Sequence, residues 1–211
     1  MKKLLAMVLA LVMTLSLAVS ASAFKDDKDI SADYAEAVAV LDGMGVFKGY
    51  EDGSFKPTGD ITRAEVATII YRIYTGDVAK SDKSGLYATY NKFSDMTGAG
   101  WAAGYIGYCA NAELVKGYPD GTFRPNQPVT RQELVTFYWR YANLAGCDMT
   151  ISQGASLAEY QDGDSVKPYA KEAMLWAVDT GLIRGVDANT LAPNSTASRA
   201  MAATMLYRMV V

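Results

Sequence analysis

The sequence contains no histidine among its 211 residues and only two cysteines, Cys109 and Cys147. Without histidine there is no Ser-His-Asp or Cys-His catalytic group, no imidazole proton shuttle and no histidine-containing zinc site. Two cysteines are too few for a four-cysteine metal site or a disulfide framework. The formal net charge of −3 argues against a basic nucleic-acid-binding face. We therefore predict a protein that binds no nucleic acid and uses neither a metal nor a cofactor.

Residues 1–23 have the pattern of a secretory signal peptide. Lys2 and Lys3 precede an apolar run over residues 4–19, and the small residues 21–23 form a cleavage site. A transmembrane anchor is the alternative, because the run approaches spanning length. No basic cluster follows it, and the chain turns acidic from Phe24. The sequence thus predicts export, cleavage after residue 23 and no membrane segment after cleavage.

A repeat with a period of 68 residues organises the rest of the chain. Gly-Tyr-Glu-Asp-Gly-Ser-Phe-Lys-Pro at residues 49–57 recurs as Gly-Tyr-Pro-Asp-Gly-Thr-Phe-Arg-Pro at 117–125, with a weaker copy at 185–193. Each block is followed at the same distance by Thr-Arg-Ala-Glu (62–65), Thr-Arg-Gln-Glu (130–133) or Ser-Arg-Ala-Met (198–201). The arginine is therefore common to all three copies.

Each copy reads as helix, loop, helix. Apolar residues at helical spacing predict the first helices near residues 33–44, 101–112 and 169–180. Gly45 and Gly181 follow two of them where a left-handed cap suits glycine, but the second copy has Glu113, so we expect a different cap there. The Asp-Gly turns then lead to buried Phe55, Phe123 and, in the third copy, Leu191.

The second helices begin with capping boxes. Thr62 with Glu65 and Thr130 with Glu133 can exchange hydroxyl–amide and carboxylate–amide hydrogen bonds. Ser198 can still cap the third copy, but no glutamate returns the bond. We therefore expect that helix to start more loosely, or Met201 in the glutamate position to be packed against something.

One helix pair buries little core, so the three copies are expected to pack together. The fold prediction is all-α: three tandem helix-loop-helix repeats forming a pseudo-threefold bundle. The predicted repeats span 24–74, 93–141 and a degenerate 160–211, joined by linkers at 75–92 and 142–159.

This combination resembles the S-layer homology family. The residues that carry the likeness are the aromatic-x-Asp openings at 24–26, 93–95 and 160–162, Trp101-Ala102, the Gly-Tyr-x-Asp-Gly-x-Phe-x-Pro blocks and Thr-Arg-x-Glu. The resemblance implies an exported cell-wall or S-layer protein whose inter-repeat grooves hold a secondary cell wall polymer, often through a pyruvylated amino sugar. It places the Thr-Arg-x-Glu motif at the groove, so Arg63, Arg131 and Arg199 become candidate ligand arginines.

The chemistry of the motif fits an anionic glycan. A guanidinium presents a planar fork to a carboxylate, and each of these arginines sits at a helix N-terminus, which itself favours anions. Other candidate site residues surround the arginines: Thr62, Thr130, Ser198, Glu65, Glu133, Tyr50, Tyr118 and Trp101. The three aromatics either stack on sugar faces or pack in the core. Because the third copy has neither the tyrosine nor the glutamate, we expect the groove of Arg199 to be the weak one.

The sequence supports three other predictions. Arg72, Arg140 and Arg208 fall on the opposite helix face from the first arginines and are expected to pair with acids or extend to solvent. The acidic segments 26–29 and 162–164 lack an EF-hand's spacing, so solvated turns are expected there rather than calcium sites. An envelope scaffold that binds another protein is the alternative function, and a glycosidase is disfavoured because caps and turns explain the available acids.

Overall fold

The computed structural model describes residues 24–78, 85–89 and 91–210. Within these ranges the regular structure is helical, and β-pairing is confined to isolated bridges. The α-helices are α1 (Ala32–Gly43), α2 (Arg63–Thr75), α3 (Gly85–Ala88), α4 (Ala103–Asn111), α5 (Arg131–Ala145), α6 (Lys171–Asp179) and α7 (Arg199–Val210). The predicted all-α class is confirmed. The predicted signal peptide lies outside the described residues, and inside them no helix has the length and apolar character needed to cross a membrane.

The capping boxes are confirmed at α2 and α5. The Thr62 hydroxyl accepts a hydrogen bond from the Glu65 amide at 3.3 Å, and the Thr62 amide donates to the Glu65 carboxylate at 2.8 Å. Thr130 and Glu133 repeat this exchange at 3.4 and 2.9 Å. At α7 only the hydroxyl half is present, because the Ser198 Oγ accepts from the amide of residue 201 at 3.2 Å.

The prediction of a different cap after α4 is wrong. Glu113 adopts φ +60°, close to the +70° and +71° of Gly45 and Gly181 at the corresponding positions. The left-handed conformation is therefore imposed on a residue that has a Cβ, at a steric cost of about 1 kcal/mol. Helix α5 also continues through Ala145, into the segment predicted to be linker.

The described chain divides into two compact units. Unit 1 comprises the described residues up to Asp60 together with those from Ser198 onward. In this unit α1, from the first repeat, packs against α7, from the third. Phe47 and Phe55 are fully buried with ring centroids 6.1 Å apart, and the Tyr207 hydroxyl donates to the Glu36 carboxylate at 2.8 Å.

Unit 2 comprises Ile61–Ala197. Here α2 of the first repeat packs against α4 of the second, and α5 of the second packs against α6 of the third. In both units, then, the second helix of one repeat contacts the first helix of another. Each repeat is a sequence unit, but its helices bury their apolar faces on neighbouring repeats.

The residues that precede the three second helices meet inside unit 2. The Ile61 amide donates to the Ala197 carbonyl at 3.0 Å, the Ala197 amide to the Val129 carbonyl at 2.9 Å, and the Val129 amide to the Ile61 carbonyl at 2.9 Å. All three side chains are fully buried. This closed ring of hydrogen bonds takes one residue from each repeat.

Candidate functional site

The loop of each repeat is a rigid turn. In the second copy the Tyr118 amide donates to the Thr122 carbonyl at 2.8 Å, and the Thr122 amide donates to the Asp120 carboxylate at 3.0 Å. Hydrogen bonds from the hydroxyl and amide of Thr122 lower the pKa of Asp120 to about 2. Ser54 does the same to Asp52 in the first copy. Asp52 and Asp120 therefore accept hydrogen bonds that stabilise the turns.

Aspartates from the aromatic-x-Asp openings support the turns from outside. Asp26 accepts hydrogen bonds from the amides of Phe55 and Lys56, both at 2.7 Å. Lys56 has φ +57°, so the carboxylate stabilises a left-handed backbone that a non-glycine residue rarely adopts. Burial raises the pKa of Asp26, but these amide hydrogen bonds outweigh burial and hold the pKa below its usual value.

The same brace recurs in the other copies. Asp95 accepts from the amides of residues 123 and 124 at 2.8 and 2.6 Å, and Asp162 from those of residues 191 and 192 at 2.8 and 2.7 Å. Asp26 and Asp162 therefore have a structural role in addition to the turns expected at these segments. Sequence reasoning missed this role, although the recurrence of the motif at each repeat was the signal for it.

The arginine series is buried. Arg63, Arg131 and Arg199 are only 3–4% exposed. The Arg63 Nε donates to the Phe123 carbonyl at 2.7 Å and its Nη2 to the Lys116 carbonyl at 3.0 Å. Arg63 of the first repeat thus donates two hydrogen bonds to backbone carbonyls at the loop of the second repeat. We call this contact an arginine clasp.

The other two arginines repeat this clasp in cyclic order. Arg131 donates from Nε to the Leu191 carbonyl at 2.9 Å and from Nη2 to the Arg184 carbonyl at 2.8 Å. Arg199 donates to the Phe55 and Lys48 carbonyls at 2.7 and 2.9 Å. The second repeat holds the loop of the third, and the third holds the loop of the first. Each guanidinium therefore stabilises the fold, whatever else it contacts.

Around Arg63 the structure brings several predicted site residues together. Its guanidinium carbon lies 4.7 Å from the centre of the Tyr118 ring, and its Nη1 lies 3.3 Å from the Glu133 carboxylate. The Tyr118 hydroxyl donates to the same carboxylate at 2.8 Å. Burial lowers the pKa of Arg63, while Tyr118 and Glu133 act in the opposite direction. Arg124 lies over the Tyr118 ring at 3.8 Å, so two cations contact this ring.

Arg199 has an equivalent setting in unit 1. Its guanidinium carbon lies 4.5 Å from the Tyr50 ring centre, and the Lys56 ammonium lies 4.2 Å from that ring. The expectation that Arg199 has the weak groove rested on its own copy lacking both the tyrosine and the glutamate. The premise about the tyrosine is wrong, because the tyrosine beside Arg199 is Tyr50 of the first repeat.

The degenerate third loop instead faces Arg131. This arginine clasps the loop in which Val186 replaces the tyrosine and Ala192 replaces the cation of the other copies. The loop that lacks both the tyrosine and the cation is therefore the one that Arg131 contacts, and not the one that Arg199 contacts.

Two further features lie in unit 2 near the second loop. Trp101, on the 3₁₀ turn Gly100–Ala102, is 54% exposed and presents an aromatic face to solvent. A cleft of about 510 Å³ opens beside Tyr118, between Lys92 and Lys116.

The chain is thus built from three copies of one helix-loop-helix unit, and a buried arginine of each copy donates to backbone carbonyls of another. Residues 23–67, 92–135 and 159–203 match the model of the S-layer homology domain. The chain therefore belongs to the S-layer homology domain family, as the resemblance predicted.

Several relatives support this membership. The chain is 32% identical over 161 residues to a cellulosome-anchoring protein of Acetivibrio thermocellus, covering 76% of the chain and 34% of that protein. It is 31% identical over 163 residues to cell surface glycoprotein 1 of the same species, covering 76% and 7%. It is 33% identical over 144 residues to a surface layer protein of Brevibacillus choshinensis, covering 66% and 12%. The matched region spans about a third or less of each relative.

Proposed function

We propose that this chain attaches to the bacterial cell wall by binding an anionic secondary cell wall polymer, with a pyruvylated amino sugar as the recognised unit. As a member of the S-layer homology family, the chain is a cell-surface anchoring module and not an enzyme in its own right. The sugar and the sites are the proposed part.

The observation that carries the proposal is the pairing of arginine with tyrosine and a second cation. Arg63 with Tyr118 and Arg124, and Arg199 with Tyr50 and a lysine, form two such groups. A chain with a net charge of −3 cannot hold an anionic polymer by overall attraction. It needs fixed positive points. In each group the buried arginine holds the tyrosine in place, and the exposed second cation, Arg124 or Lys56, is positioned to donate charge-assisted hydrogen bonds, which contribute about 1.5–3 kcal/mol each.

Two competent sites are enough for firm attachment. If each binds a repeating unit at about millimolar strength, engagement of one polymer by both adds roughly 10²–10⁴ in avidity. The site of Arg131 is then mainly structural, since its loop has neither the aromatic nor the cation.

The acids near these sites favour binding over hydrolysis. Glu65 and Glu133 are engaged in capping boxes, and Asp52 and Asp120 in turns. Each carboxylate that could serve a glycosidase therefore accepts hydrogen bonds that the fold requires.

Retention on isolated walls tests the proposal. Purified protein is mixed with walls of the producing bacterium before and after chemical removal of the secondary polymer, and the bound fraction is measured. We expect retention on intact walls and loss on stripped walls. Equal retention on both would reject the polymer and favour a protein partner in the envelope.

A further inference from the structure

We infer that Arg140, together with Tyr169, forms the ligand-contacting part of the site beside Arg63 and binds the carboxylate of an acidic sugar. This inference rests on the proposed function and assigns its charge contact to a different arginine. The Arg140 cluster is defined here as Arg63, Tyr118, Glu133, Arg140 and Tyr169. It draws on all three repeats and lies entirely within unit 2.

The position of Arg140 follows from the geometry of α5. Glu133, Phe137 and Arg140 are spaced four and three residues apart, so they share one face of the helix. Arg63 contacts that face, since it lies 3.3 Å from the Glu133 carboxylate and 5.0 Å from the centre of the Phe137 ring. Arg140 is turned away from Arg131, as predicted, but it lies along the face that Arg63 occupies.

Tyr169 is held against the same helix. It lies on the 3₁₀ turn Pro168–Ala170, which packs against α5. The amide of Lys167, just before this turn, donates to the Gln132 side chain in the first turn of α5 at 2.8 Å. Tyr169 remains 56% exposed, so its ring is available to a sugar face.

Of the two arginines in the Arg140 cluster, Arg140 is the one whose charge can pair with a ligand. The Arg63 guanidinium donates hydrogen bonds to two backbone carbonyls and to one oxygen of the Glu133 carboxylate. The other oxygen of that carboxylate accepts a hydrogen bond from the Thr130 amide. Arg63 and Glu133 therefore compensate each other. Among the described residues none forms a hydrogen bond or ion pair with the Arg140 guanidinium, so of the two expected outcomes, pairing with an acid and extension to solvent, the first is not observed.

Electrostatic effects agree with this placement. Burial lowers the pKa of Arg140, and the positive charge of Arg63 lowers it further. Burial raises the pKa of Tyr169 to about 12, so its phenol is neutral at physiological pH. A neutral aromatic beside one uncompensated guanidinium suits a ligand with a single negative charge and a ring face.

A matched pair of variants tests the inference. Arg208 occupies the position of Arg140 in the third repeat, where residue 186 is valine and residue 201 is methionine instead of tyrosine and glutamate. Wild type, Arg140→Gln and Arg208→Gln are each titrated calorimetrically with a single repeating unit released from the wall polymer. A carboxyl-reduced form of that unit serves as the uncharged probe.

We expect Arg140→Gln to weaken one site at least tenfold, seen as the loss of one bound unit per chain, and Arg208→Gln to match wild type. Wild type should lose affinity for the carboxyl-reduced unit. Unchanged stoichiometry and affinity in Arg140→Gln would overturn the inference, as would equal binding of the two units by wild type. If Arg140→Gln does not fold, Arg140→Lys replaces it, and binding equal to wild type would refute the guanidinium contact.

A failure of the proposed function gives a different experimental result from a failure of this inference. If wild type does not bind the intact polymer at all, the wall-binding proposal falls and this inference falls with it. If wild type binds and Arg140→Gln binds equally, only the role of Arg140 is lost.

Discussion

Replacing Arg131 with methionine tests whether the buried arginines hold the fold. Arg131 is 4% exposed, and its guanidinium donates to the Leu191 and Arg184 carbonyls at 2.9 and 2.8 Å. Hydrogen bonds from a charged donor contribute about 1.5–3 kcal/mol each, so two of them amount to about 3–6 kcal/mol. Methionine fills part of the volume but leaves both carbonyls without this donor. Because the change also removes the cost of burying a charge, we expect a loss of about 3–5 kcal/mol.

The loss is measured as the free energy of unfolding in urea, followed by far-ultraviolet circular dichroism and tryptophan fluorescence. Trp176 is a suitable reporter in unit 2, since it is buried and its indole donates to the Asp148 carbonyl at 3.1 Å. Arg184→Met is the matched control, because it removes an exposed arginine side chain and keeps the backbone carbonyl that Arg131 binds. Arg131→Lys should fall between the two, because it keeps the charge and loses the fork.

A loss below about 1 kcal/mol for Arg131→Met, or a loss equal to that of the control, would refute the clasp. The arginine series would then have to be explained by the ligand alone.

Two further predictions concern the backbone and the acid limit. Glu113→Gly should stabilise the chain by about 0.5–1 kcal/mol because φ +60° suits glycine, whereas Glu113→Ala should not; thermal unfolding measures both. The lowered pKa of Asp26 means that the stability it contributes is present above about pH 4 and is lost as the pH falls below it. In Asp26→Asn the stability should therefore fall less steeply with decreasing pH than in wild type, as measured by acid unfolding followed by circular dichroism. An unchanged dependence on pH would contradict the role of Asp26 in holding the turn.

Local features were predictable from the sequence. A capping box needs residues only three apart, and the Asp-Gly turns form within four residues. The capping boxes at Thr62 and Thr130 therefore formed as expected. Buried Phe55 and Phe123 also followed from local pattern, since each stands at a fixed place after a turn.

The composition of each site was not predictable in this way. Arg63 reaches carbonyls 53 and 60 residues away in the chain, and Asp26 braces amides 29 and 30 residues away. A repeated sequence shows which residues are equivalent but not which copy supplies the partner. For that reason the sequence could not show that Arg199 contacts the tyrosine-containing loop of the first repeat, while Arg131 contacts the degenerate loop of the third.

The sequence by itself determined the number of copies, the helical class and the places where second helices begin, because hydrogen bonds and apolar spacing within a few residues decide these features. Only the tertiary structure decided that helices exchange partners between repeats, that the arginines are buried, and that Arg140 lies on the face contacted by Arg63. These outcomes depend on burying apolar faces that no single repeat can cover alone. The sequence supplied equivalent parts, and packing determined which parts from different copies form each site.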